Sequence, residues 1–271
     1  MRIIVIVFFT LLLCVGCSVE SKDSSSQKDD VAVKQSIGHA NVEGNLVKEL
    51  SFEDGKSGGG EITDNVNIYR ITLEQVEKAE HILIDFTQRS EATIQEPQLN
   101  APHFTVDVQE NPYTMSFTMS GVRAFDARDF TALKDSELIA DAYWVVTHDD
   151  SAWRFVIVFN SPVQYKVREY ADPAQVVISA QPLTEEEKDH AIHTIRTEAF
   201  SFGGKLANME ENIFDKADIR YLRESGTPFN TTESSFYMEL GQYQSVKVAE
   251  EKMAQLQNLL GSDVKLFIEE K

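Results

Sequence analysis

The sequence is short of cysteine and of positive charge, and each shortage narrows what the chain can be. Its 2 cysteines, Cys14 and Cys17, both precede residue 18, so the folded part has no disulfide framework and no cysteine zinc site. Lys and Arg number 25 against 44 Asp and Glu, a formal charge of -19, which argues against nucleic acid or an anionic membrane surface as partner, because both select basic patches. The deficit is not local: residues 62–183 hold 9 basic against 18 acidic residues, and residues 184–271 hold 10 against 17. Also missing are a phosphate-binding loop, a dinucleotide-binding glycine pattern, a nucleophile elbow and a His-Glu-x-x-His motif, so the sequence offers no ground for an enzyme and calls for no cofactor. The nearest approach to a metal site is Asp189, His190 and His193, but Ile192 and Ile195 mark a strand, which places the two histidines on opposite faces.

What the sequence does have begins at the N-terminus. Residues 1–16 carry one basic residue, Arg2, followed by an apolar run interrupted only by Thr10 and ending in small residues before Cys17. The run is too short for a comfortable bilayer span and reads as a secretory signal. The ending Cys14-Val15-Gly16-Cys17 resembles the lipobox of bacterial lipoproteins, with Cys14 where that family prefers Leu. The resemblance implies cleavage after Gly16, acylation of Cys17 and an extracytoplasmic chain attached to the membrane through its lipid. Residues 17–61 follow as the acylated cysteine and a Ser-, Gly-, Lys- and Asp-rich stretch with a single aromatic, Phe52. That composition predicts a disordered tether.

From residue 62 the pattern alternates. Phe104, Val106 and Val108 interleave with Thr105, Asp107 and Gln109, and Met115, Phe117 and Met119 interleave with polar residues, as half-buried antiparallel strands do. Residues 143–147 and 153–159 flank the turn His148-Asp149-Asp150-Ser151 and predict a hairpin. A weak repeat of hairpin, third strand, proline turn and fourth strand relates residues 67–108 to residues 142–178. It predicts a β-sandwich over 62–183 in which the two halves face one another as two small sheets. The run Phe159-Asn160-Ser161-Pro162-Val163-Gln164-Tyr165 followed by the Pro173 turn resembles the AMIN domain. That resemblance implies a symmetric sandwich that targets proteins to peptidoglycan or the cell envelope.

Residues 184–271 change period. Strand candidates lie near residues 192–200, 219–222, 236–240 and 264–268, with helical spacing in Leu206, Met209 and Ile213, and again in Ala249, Met253, Leu256 and Leu260 between Ser245 as N-cap and Gly261 as stop. The order predicts a ferredoxin-like βαββαβ module, so the whole chain is expected to be mainly β plus α+β. The segment Phe236-Tyr-Met-Glu-Leu-Gly241-Gln-Tyr243 with the following helix resembles the second half of a SPOR domain, a module that binds peptidoglycan glycan strands through an open sheet face. Carried over by position, the resemblance puts Arg196 and Tyr237 on that face as candidate glycan-binding residues, with Ser235 where an aromatic is frequent. A tyrosine can stack on a sugar and an arginine can hydrogen-bond it.

Together these readings predict a lipid-anchored, non-catalytic envelope protein that binds peptidoglycan or localises cell-wall machinery. The alternative is a protein-interaction module of an envelope, division or sporulation complex with no glycan binding.

Overall fold

Alternation of apolar and polar side chains builds the first two sheets and decides which faces meet. The computed structural model describes residues 40–89, 96–111, 113–183 and 192–271. All of these belong to one unit, Ser36–Lys271. The first sheet runs in the order β1 (Asn45–Glu49), β10 (Val163–Ala171), β11 (Gln175–Pro182), β4 (Ala79–Gln88), β3 (Val66–Val76), β7 (Val122–Phe125). The second runs β2 (Lys56–Gly59), β5 (Phe104–Glu110), β6 (Tyr113–Ser120), β9 (Ala152–Phe159), β8 (Ile139–Val145). Ile82, Ile84 and Ile178 from one sheet and Phe104, Phe117 and Phe155 from the other are buried in the same core, and Phe117 stacks on Phe155 at 4.9 Å between ring centroids. Each such ring contributes about 1.5–3 kcal/mol by leaving water.

Strands β8 and β9 are the hairpin that the alternation predicts, with Tyr143 opposite Val156. The two halves of the repeat, however, do not form one sheet each. The β3–β4 hairpin joins the β10–β11 hairpin through β4 and β11, with Ile84 opposite Val176 and Ile82 opposite Ile178. Likewise β6 joins β9, with Phe117 opposite Phe155. Strand β4 is buried on both faces, so it needs a partner along each edge as well as a layer on each side, and pairing across the halves supplies the second edge.

The predicted tether is also corrected. Strand β1 pairs with β10 and β2 pairs with β5, each closing an edge of the sandwich. Leu50 enters the main core, Ala40 and Val42 cover Leu83, Tyr170 and Val177, and the Phe52 ring meets Tyr165 edge-on at 5.3 Å. The glycines that look like a linker are there for space: a Cβ on Gly58 would stand 2.6 Å from the Phe104 carbonyl oxygen. Composition averaged over the segment conceals these few well-placed apolar side chains.

The expected ferredoxin-like βαββαβ module is not found. Among the described residues the fold is mostly β, 52% strand against 14% helix with only two α-helices, so the α+β half of the expectation fails while the mainly β half is compatible. After residue 192 the elements run β12 (His193–Thr197), β13 (Phe200–Ser201), α1 (Gly204–Ile213), β14 (Arg220–Ser225), β15 (Ser235–Tyr243), α2 (Val246–Leu260), β16 (Leu266–Glu270), in a five-stranded sheet. The first predicted strand breaks at Glu198 and Ala199, and its two pieces pair with opposite ends of β15. Helix α2 does run from the Ser245 cap to Gly261, whose φ of 79° ends it.

This third sheet does not stand apart from the sandwich. Tyr143, Val145 and Val156, on the outer face of the second sheet, belong to the same buried cluster as Ile195, Tyr221, Phe236, Leu240, Ala249 and Leu256. The Tyr143 hydroxyl accepts the Arg223 backbone N–H at 3.1 Å and donates to the Tyr221 carbonyl oxygen at 3.3 Å. Beside it Arg154 donates two hydrogen bonds of 3.0 Å to Glu210. Among the described residues no helix is long and apolar enough to cross a membrane. The leader, Cys17 and the tether up to residue 39 lie outside the described residues.

Candidate functional site

Strand alternation in the third sheet sends Phe236, Met238 and Leu240 toward the two helices, and therefore Tyr237 and Glu239 toward the opposite face. The register puts Arg196 of β12 beside Glu239 on one side and Phe267 of β16 on the other. The two residues predicted from sequence are thereby brought together: the Arg196 guanidinium carbon lies 4.9 Å from the Tyr237 ring centroid and 5.5 Å from that of Phe267. Ion pairs with Glu269 at 3.2 Å and Glu224 at 3.5 Å hold the guanidinium in place. Its side chain is only 23% exposed, whereas Phe267 is 44% exposed, so the outermost part of the platform is an aromatic ring.

The same face has a closed end. Glu239, 1% exposed, accepts from Arg220, from Lys271 at 2.6 Å and from Gln242 at 3.1 Å. Arg220 also donates to the Thr114 hydroxyl at 3.2 Å and the Asn111 carbonyl at 2.7 Å, so the β5–β6 turn covers this end. Burial, followed by the Glu239 and Glu269 charges, pushes the Tyr237 hydroxyl up to about 12. It therefore stays a neutral donor and acceptor at all physiological pH values.

The platform offers two aromatic rings and a guanidinium whose single charge is more than offset by two carboxylates. It can stack on and hydrogen-bond a flat, uncharged ligand surface, but it pairs no nucleophile with a base. Ser235 sits at the end of β15, its hydroxyl 2.7 Å from that of Ser225. His193 lies in β12, while Asp189 and His190 fall outside the described residues. Among the described residues no group of three potential metal ligands is clustered. Sequence reading missed Phe267, Glu224 and Glu269. The signal for Phe267 is its phase: Leu266 and Ile268 pack toward the helices, so an aromatic between them faces outward. Comparison with protein-family models, curated proteins and solved structures gives no match.

Proposed function

We propose that this chain is a lipid-anchored, non-catalytic envelope protein whose C-terminal sheet binds the glycan strands of peptidoglycan. The observation that carries the reading is the Phe267–Arg196–Tyr237 platform, exposed at one end and without net positive charge. Sugar rings present apolar faces for stacking and hydroxyls for hydrogen bonding, and neither needs the positive charge that this chain lacks. The lipobox-like ending at Cys17 supports membrane attachment, and the acidity of both regions supports recognition by shape and hydrogen bonds.

A second reading, contact with an envelope protein, is favoured by one observation. Both guanidinium edges of Arg196 are already engaged by carboxylates, which leaves Phe267 as the freest contact. Cosedimentation of the chain with purified peptidoglycan, intact and amidase-stripped, separates the two. Binding that falls about fivefold in Phe267→Ala and in Tyr237→Ala, the loss of roughly 1 kcal/mol of stacking, supports glycan recognition. No binding to either preparation removes the glycan reading.

A further inference from the structure

At one end of the sandwich a cleft of about 600 Å³ opens between the sheets, within the range of small-molecule sites of roughly 300–1,000 Å³. Met115 and Phe159 line its buried part, Val163 and Tyr165 its side, and Phe52, from the loop between β1 and β2, completes the wall against Tyr165. This interior is apolar and aromatic, so it suits a hydrocarbon or aromatic body better than a polyol.

One charged side chain stands at the cleft: Glu110, exposed, in phase with Val108 on β5 and in no ion pair among the described residues. Burial, then the nearby Glu110 charge, raises the Tyr165 hydroxyl. Among the described residues no Lys, Arg or His lines the cleft. The cleft thus has an apolar body and one carboxylate with no cation beside it among the described residues, on a chain whose net charge of -19 draws cations toward it.

We propose that this cleft binds a small amphipathic amine, its apolar body between Phe52, Phe159 and Tyr165 and its ammonium held by Glu110. The assignment is independent of the platform on the third sheet.

Calorimetric titration of the full chain with octylammonium, octanol and octanoate, which share a body and differ in head group, tests it. Octylammonium is expected to bind about tenfold more tightly than octanol, the gain from a charge-assisted hydrogen bond, and octanoate not measurably. Glu110→Gln, an exposed and isosteric change, should bring octylammonium to the octanol value and leave octanol unchanged. Equal binding of all three compounds, no binding of any, or undiminished amine preference in Glu110→Gln would overturn the proposal.

Discussion

A single carboxylate, Glu239, organises the covered end of the third sheet, because three donors converge on a group with almost no contact with water. Breaking such a buried pair from one side leaves a charge without compensation, which costs about 3–5 kcal/mol. Arg220→Met is therefore expected to lower unfolding stability by that much in urea denaturation, and Arg220→Met with Glu239→Met to recover most of it. Tyr237 supplies a second test. An acid whose folded-state pKa is raised lends stability that is complete below its unfolded value, about 10, and is lost as pH rises through the folded value, here about 12. The ultraviolet absorbance difference between the wild type and Tyr237→Phe should accordingly titrate near pH 12. At this scale the sequence was legible where alternation fixes a side. Arg196 and Tyr237, which the SPOR resemblance singles out, do lie side by side, whereas the carboxylates that pair with Arg196 come from strands far apart in sequence, and no local pattern links them.

At the scale of elements, legibility follows how much of the signal is local. Helix α2 shows its apolar stripe, its Ser245 start and its Gly261 stop within a single window. Strands β1 and β2 show almost nothing: β1 is exposed along its whole length, and what holds the segment is long-range pairing to β10 and β5 plus the isolated anchors Leu50 and Phe52. The break at Glu198 and Ala199 that yields β13 lies where the phase slips, since Ile195 and Phe200 face one core at an odd spacing of five residues. A chain beginning at residue 62 should melt well below one beginning at residue 40, because it uncovers two strand edges. Leu50→Ala alone should cost about 2–5 kcal/mol, the usual loss for a large buried aliphatic side chain. Thermal melts of the two truncations and the point variant check both.

For the molecule as a whole, the sequence marked a boundary near residue 184 by its change of period, but not that residues on either side of it share one buried cluster. A strand with one face in each of two cores, such as β9, reads as largely apolar, and periodicity cannot say which layer will cover its outer side. The shared cluster predicts that residues 40–271 unfold in one cooperative transition, and that residues 184–271 alone remain unfolded by circular dichroism. Tyr143→Phe should weaken the whole by about 1–3 kcal/mol, since it strands the Arg223 N–H without an acceptor.

That same hydroxyl has a consequence for the molecule in company. An unpaired strand edge is a template on which another chain can add a strand, the route into swapped dimers and fibrils. On β14 one N–H and one carbonyl of the outer edge are both occupied by Tyr143 from within the chain. A neighbouring copy that tried to extend the sheet there would first have to pull the sandwich away, so the contact that joins the two layers also keeps crowded molecules from stitching to one another.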